Sequence, residues 1–423
     1  MHTAGGRMSP GAASGWPHAL PGIADRLKGL RCVAAVAAHG SAVRAADMLC
    51  LSQPAVTRAV LEVEKFCAAS LFERGARGMF ATVLGARIAQ RAQRLFDHLE
   101  AGATEAVALM PEGEGRDGMQ GRFCASVSAA SLKALVAIAA SASEAHAAQA
   151  LGQSQPSVHR ALRDLESLAR ARLLWKSVRG TRLTDAGEAM LRRVKLAFAE
   201  MRAMESDIAS WHGNVRGRVV IGALPLSVTL FLPQAIQAVT QAHPEVEVVV
   251  IDGTYESLLR QLSHADIDVI VGALRPAAAG VRQEALFDEP LAIIARPGHP
   301  CLARRSLALR HLLQWDWVMP PNGTPASLAL LEAFAAQGLP GPGQTLQTNN
   351  TTLARAMVGT TDRLALTSLR QARADALAGL VCLVPVALPQ TMRSIGVALR
   401  ESDDPSSDLA AVLAAMREAS SDS

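Results

Sequence analysis

A seven-residue run, Ser52-Gln53-Pro54-Ala55-Val56-Thr57-Arg58, returns 102 residues later as Ser154-Gln155-Pro156-Ser157-Val158-His159-Arg160. The same offset aligns Ala45-Ala46 with Ala147-Ala148, Leu71 with Leu173, Arg77-Gly78 with Arg179-Gly180, Thr82 with Thr184 and Gly85 with Gly187. From Ser41 to Gly85 the two stretches agree at 17 of 45 positions without a gap. A repeat with this period admits only folds in which one small module occurs twice.

The residues of the first copy say what the module is. Ser41 to Leu49 is rich in Ala and apolar on one side, which predicts a short helix, and Cys50-Leu51 is a tight connection. Ser52 is a good N-cap, and Pro54 falls in the first helical turn, where its missing N–H costs nothing. Val56, Val60 and Val63 then form one buried stripe, with Gln53, Thr57 and Arg58 pointing away from it. This is a helix-turn-helix with hydrogen-bonding side chains at the start of its second helix. Gln pairs bidentately with adenine and Arg with guanine in the major groove. Leu71 to Gly78 reads as a wing, a hairpin that sets Arg77 on phosphates or in the minor groove. The DNA-facing set is therefore Ser52, Gln53, Pro54, Thr57, Arg58 and Arg77. In the second copy it is Ser154, Gln155, Pro156, Ser157, His159, Arg160, Arg163 and Arg179.

Both copies resemble the winged helix-turn-helix of LysR-type transcriptional regulators. The resemblance rests on the Ser-Gln-Pro run opening the recognition helix and on the motifs framing the wing, Leu71-Phe72-Glu73-Arg74 in the first copy and Leu183-Thr184-Asp185-Ala186-Gly187 in the second. The first copy departs at Ala81 to Gly85. The second departs at Leu173 to Lys176 and carries His159 where a small hydroxyl residue is usual. Two such modules in tandem are unusual for the family.

Charge divides the chain. Residues 1–214 hold 26 Lys and Arg against 19 Asp and Glu, net +7, and the remainder holds 16 against 19, net −3. A basic front half on a mildly acidic rear half suits a DNA-binding part joined to a sensor. Residues 1–22 read as a flexible tail without the apolar core of a signal peptide. The first module with its linker helix spans 23–110, a Gly-rich charged linker 111–124, and the second module with its linker helix 125–213. In that second helix Leu191, Val194, Phe198, Met201, Glu205 and Ile208 step in the coiled-coil rhythm. Leu191, Val194, Phe198, Met201 and Ile208 are thus candidates for dimerisation, because the resemblance implies that this helix pairs two subunits; an amphipathic helix packed on its own domain has the same pattern.

From residue 214 strands alternate with helices, which predicts parallel α/β sheets. The pattern restarts midway, giving lobe I over 214–275 and 390–423 and lobe II over 276–389. Two such lobes resemble the type 2 periplasmic-binding fold, the effector domain of LysR-type regulators. The fold expected is multidomain α/β: two winged helix-turn-helix domains with linker helices, then a two-lobed effector domain. Ligands in such sheets sit beyond the carboxyl ends of strands, at helix N-termini. That rule selects Pro225, Ser227, Thr229, Gly253, Thr254, Asn322, Thr324, Asn349 and Thr367, a set without Lys or Arg, suited to a sugar or organic acid. Each position alone reads equally well as a helix cap or turn residue.

No Cys or His spacing suggests a metal or cofactor, and no nucleophile stands beside a base, so an enzyme is not expected. No apolar run approaches a membrane span. The resemblance implies a cytoplasmic homodimer or homotetramer that binds double-stranded DNA, takes up a small-molecule effector and acts on RNA polymerase at catabolic or transport genes. The alternative is a small-molecule-binding protein in which one or both modules serve only oligomerisation.

Overall fold

A computed structural model describes residues 20–75, 78–110, 123–177, 180–226, 231–343, 345–389, 391–401 and 404–421. The chain forms two compact units. The first contains the residues up to Arg218 together with 263–266 and 405–408, and the second contains the rest.

In the first unit a 3-10 turn, Gly22–Arg26, leads into α1 (Leu27–His39), α2 (Ala42–Leu49) and α3 (Gln53–Cys67). The hairpin of β1 (Phe72–Gly75) and β2 (Gly78–Ala81) follows, then the long α4 (Val83–Ala108). The second copy repeats this as α5 (Phe123–Ser126), α6 (Ala129–Ser141), α7 (Glu144–Leu151), α8 (Gln155–Ala169), β3 (Leu174–Ser177), β4 (Gly180–Leu183) and α9 (Asp185–Trp211). The departures from the family pattern do not alter the local fold. Thr82 caps α4 by accepting from Gly85 N–H at 3.0 Å, and Thr184 caps α9 by accepting from Gly187 N–H at 2.9 Å. A β-carbon on Gly85 would lie 1.8 Å from the Leu71 carbonyl oxygen, and one on Gly187 2.1 Å from that of Leu173. Only glycine lets each long helix start against the strand that leads into its wing.

α4 and α9 pack against each other, and one continuous apolar core runs through both modules. The pair is antiparallel: Arg91 near the start of α4 bonds Asp207 near the end of α9, and Glu105 near the end of α4 bonds Arg192 and Arg193. This corrects the expected role of the α9 seam. Phe198, Val194 and Met201 are completely buried, Leu191 and Ile208 nearly so, all inside one chain. They leave no stripe for a second subunit. α4 carries a matching stripe, Ile88, Ala92, Leu95 and Leu99, and it is tethered to α9, which favours pairing within the chain. Glu205, the one carboxylate in the seam, accepts from Ile23 N–H at 2.8 Å. Burial raises its pKa, against the bonds it accepts from the backbone N–H groups of Ile23 and Gly22.

The second unit holds two sheets. The first comprises β5 (Gly217–Ala223), β6 (Val246–Asp252), β7 (Val269–Ala273), β8 (Val281–Glu289) and β14 (Arg393–Arg400), in the order β6-β5-β7-β14-β8. α10 (Phe231–Ala242) and α11 (Tyr255–Ser263) connect its early strands, and α15 (Ser407–Ser421) follows β14. The second sheet has β9 (Leu291–Ala295), β10 (Trp317–Met319), β11 (Thr345–Gln347), β12 (Leu364–Ser368) and β13 (Cys382–Leu383), in the order β11-β10-β12-β9-β13, with α12 (Pro325–Ala335), α13 (Thr351–Thr360) and α14 (Leu369–Leu377) between strands.

Two expectations change here. The crossing between sheets falls after Glu289, not near residue 276, because β8 belongs to the first sheet. Its half-exposed side chains give no apolar run in the sequence. The sheets are also mixed. β5 pairs with β7 and β10 with β11 and β12 in parallel, while β14 runs antiparallel to β7 and β9 antiparallel to β12.

Candidate nucleic-acid interface and effector cavity

The two recognition helices, α3 and α8, start from the same geometry. Ser52 has φ −77° and ψ 146° and accepts from Ala55 N–H at 3.4 Å; Ser154 has φ −77° and ψ 147° and accepts from Ser157 N–H at 3.3 Å. Val56 and Val158 are fully buried beneath them. Gln53, Pro54 and Arg58 in one copy, and Gln155, Pro156, Ser157 and Arg160 in the other, face solvent. Among the described residues no hydrogen bond or ion pair engages the side chains of Gln53, Arg58, Gln155 or Arg160, so their donors are available to bases. Each helix is fixed to its wing by a glutamate. Glu64 accepts from Leu71 N–H at 2.7 Å, and Glu166 from Leu173 N–H at 2.9 Å.

The copies differ beyond the shared Gln and Arg. Thr57 is half-buried, whereas His159 has its Nδ1 3.3 Å from Glu144. Arg163, two-thirds exposed, lies 3.9 Å from Glu166. Its counterpart in the first copy is Leu61, an apolar side chain left 56% exposed. Sequence inspection singled out Arg163 and passed over Leu61, because an exposed leucine carries no motif. The wing arginines Arg77 and Arg179 lie outside the described residues.

The second unit encloses a cavity of about 290 Å³ between its two sheets. Seven of the nine positions expected from the strand-end rule line it: Pro225, Gly253, Thr254, Asn322, Thr324, Asn349 and Thr367. Ser227 and Thr229 lie outside the described residues. Several of these groups double as helix caps. Thr254 accepts from Ser257 N–H at 3.3 Å at the start of α11, and Thr324 from Ser327 N–H at 3.3 Å at the start of α12.

The expectation of a wall without Lys or Arg is wrong. Arg275, Arg355 and Arg393 all line the cavity. Arg355 is bound to Asp375 at 3.0 Å. Arg393 is nearly buried and reaches Glu289 at 3.2 Å. The Nε atoms of Arg275 and Arg393, and the hydroxyl of Tyr255, are buried without a partner among the described residues. Burial pulls the pKa of Arg275 down, against the Glu256 carboxylate, and burial likewise lowers Arg393, against Glu289. The geometry explains why both arginines escaped the sequence. Ile395 of β14 pairs with Ala273 of β7. Two residues further out on that ladder, Arg393 stands across from Arg275, past the carboxyl end of β7. An antiparallel strand thus brings its first residue to a site where the rule looks only at parallel strand ends. The signal available was an Arg two residues after an apolar strand.

Among the described residues no cluster of His, Cys, Asp and Glu could hold a metal ion, and no helix is long and apolar enough to cross a membrane. Cys301 and Cys382 are free thiols, and burial raises the pKa of Cys301.

Comparison with known proteins matches both parts of this description. The family model for the bacterial regulatory helix-turn-helix protein of the lysR family matches residues 27–86 and again 129–188. The model for the LysR substrate binding domain matches residues 212–421. The HTH-type transcriptional regulator GalR of Pseudomonas putida is 34% identical over 391 residues, 92% of this chain and 96% of that protein. The HTH-type transcriptional regulator PcaQ of Agrobacterium fabrum is 28% identical over 290 residues, 68% of this chain and 93% of its own. Among solved structures, full-length CbnR, a LysR family transcriptional regulator, superposes with a TM-score of 0.51 at 19% identity over 69% of this chain and 98% of that one. A full-length OxyR variant from Pseudomonas aeruginosa gives 0.53 at 20% identity over 68% of this chain and 97% of its own.

Proposed function

From the premise that this chain belongs to the LysR family of DNA-binding transcriptional regulators, we propose that its effector is a small organic anion. The family accounts for the general function: DNA binding, an effector domain, regulation rather than catalysis. The effector class is carried by one observation. Two arginines, Arg275 and Arg393, stand across from each other on the antiparallel ladder of β7 and β14 and both line the cavity. A desolvated cation at a cavity wall is costly, and a carboxylate bound against the pair would meet its charge and its hydrogen-bonding geometry. The surrounding hydroxyls and amides of Thr254, Asn322, Thr324, Asn349 and Thr367 suit further polar groups on the same molecule. At about 290 Å³ the cavity lies at the small end for ligand sites, typically about 300–1,000 Å³. Of the two classes expected from sequence, the organic acid is favoured over the sugar.

Both winged modules meet DNA in this reading, since both recognition helices carry free Gln and Arg donors on identical caps. Phosphate contacts from the wings add a salt-dependent share of affinity. Several chains assemble on the operator as a dimer or tetramer in the cytoplasm, and effector binding alters their hold on DNA and their access to RNA polymerase at catabolic or transport genes.

The test is calorimetric titration of the full chain with small aliphatic and aromatic carboxylates, their neutral amides, and sugars. A carboxylate should bind and its amide should not. Arg275→Gln should weaken that binding about 10- to 150-fold, the equivalent of roughly 1.5–3 kcal/mol for a hydrogen bond to a charged group. Binding of a neutral sugar that is indifferent to Arg275→Gln would overturn the assignment.

A further inference from the structure

The contacts between α4 and α9 contain a symmetry. By the 102-residue offset, Arg91 corresponds to Arg193 and Glu105 to Asp207. Arg91 Nε donates to Asp207 at 2.6 Å, and Arg193 Nε donates to Glu105 at 3.0 Å. The same ion pair is therefore made twice, with the two helices exchanging roles. Only a two-fold relation between the modules does this. For an antiparallel pair the two-fold axis stands perpendicular to the plane of the helices. Under that relation the two recognition helices run in opposite senses across the axis.

Duplex DNA presents its backbone with local two-fold symmetry, and two-fold related recognition helices take inverted half-sites. In an ordinary symmetric pair the half-sites are equal because the side chains are equal. Here they are not. Gln53 and Gln155 match, as do Arg58 and Arg160. Thr57 faces His159 across the pseudo-axis, and Leu61 faces Arg163. All four pairs lie along the outer side of α3 and α8, away from the buried Val56 and Val158 stripes. An exposed leucine can contact a thymine methyl group and offers no hydrogen bond, whereas Arg163 suits guanine O6 and N7.

We propose that a single chain reads an inverted repeat with its own two modules, and that this repeat is necessarily imperfect. It matches where the Gln and Arg pairs reach, and differs where Leu61 and Thr57 stand opposite Arg163 and His159. The chain therefore binds its operator in one orientation. The proposal rests on the reading that both modules touch DNA, and it specifies how their sites are arranged.

The test is selection of the full chain against a library of duplexes with a random core of about two helical turns, roughly 20 base pairs, room for one pair of half-sites. The wild type should enrich an inverted repeat whose halves disagree at the positions met by residues 61 and 163, thymine on one side and guanine on the other. Thr57→His with Leu61→Arg makes the modules alike at these positions and should make the two enriched halves agree at the bases these residues meet. Arg163→Leu alone should reduce the guanine preference about tenfold, within the range for a bidentate contact. Leu61 and Arg163 are exposed and Thr57 is half-buried, and circular dichroism checks that the fold is kept. A perfect inverted repeat from the wild type, a direct repeat, or a motif unchanged by the Thr57/Leu61 double variant would overturn the proposal. A single half-site from the wild type, with affinity unaffected by Gln155→Ala and Arg160→Ala, would overturn the reading beneath it as well.

Discussion

Arg91→Met should loosen the α4–α9 pair more than removing both members of its ion pair together. Arg91 is 2% exposed and lies 2.6 Å from Asp207 and 3.4 Å from Glu200. Two unit charges about 4 Å apart at an effective dielectric constant near 20 attract by roughly 4 kcal/mol. Removing the cation alone discards that attraction and leaves Asp207 and Glu200, both nearly buried, with less compensation. Breaking a buried pair in this way costs about 3–5 kcal/mol, whereas exchanging the pair for apolar groups of similar volume is often close to neutral. Arg91→Met with Asp207→Leu should therefore lose less than Arg91→Met alone, with part of the recovery offset because the leucine also removes the acceptor of Ser407 N–H and Oγ. Glu200 keeps Arg94 at 2.8 Å, and Arg87, which also bonds Asp207, is 40% exposed and can turn to water. Hydrogen exchange read by mass spectrometry suits the measurement, because peptides from α4 and α9 report on their own unit without requiring a two-unit chain to unfold in one step. The expected result is a loss of protection of about 3 kcal/mol or more in the single variant and a partial recovery in the double one. A single variant that loses under about 1 kcal/mol, or a double variant worse than the single, would refute the reasoning.

Three further outcomes are expected. Gly187→Ala should destabilise the second module by about 1–3 kcal/mol, since the new methyl group would press on the Leu173 carbonyl and the helix must move; a melting temperature equal to wild type would count against the close approach. Burial pushes the Glu105 carboxyl up, but Arg193 and Arg192 outweigh it and hold its pKa below the usual carboxylate range. Its contribution is thus complete above the unfolded value of about 4.3 and fades as pH falls through the lower folded value, so protection in α4 and α9 should drop in acid more steeply in wild type than in Glu105→Gln. Thr254→Val should remove the cap on Ser257 and a hydroxyl from the cavity wall, weakening anion binding in calorimetry while DNA affinity in a gel-shift titration stays unchanged.

Much of the winged architecture was legible in the sequence because its information is local. Ser52 and Ser154 cap helices whose apolar stripes follow at once, and Thr82 and Thr184 do the same for the long helices. The strand-end rule likewise reached Thr254, Asn322 and Thr367, since each stands at or within three residues of the carboxyl end of a strand. What remained hidden depends on distant partners. The apolar rhythm of α9 says that something covers it, but not that the cover is α4 of the same chain. β8 escaped because its side chains are half-exposed and show no clean alternation. Arg393 escaped because its place beside Arg275 follows from the antiparallel register of β14, which no short stretch of sequence encodes.

Joining the two modules in one chain also changes what a mutation does. In a pair of identical subunits, every substitution on a recognition helix appears in both halves of the contact surface at once. A change that improves one half-site and harms the other cannot be accepted there. With α3 and α8 encoded separately, a change at position 61 or 163 alters one half and leaves the other as it was. On the proposed reading, in which both modules touch DNA, operator preference can drift in single steps, each tested against a fixed partner, while the core around α4 and α9 keeps the two halves aligned.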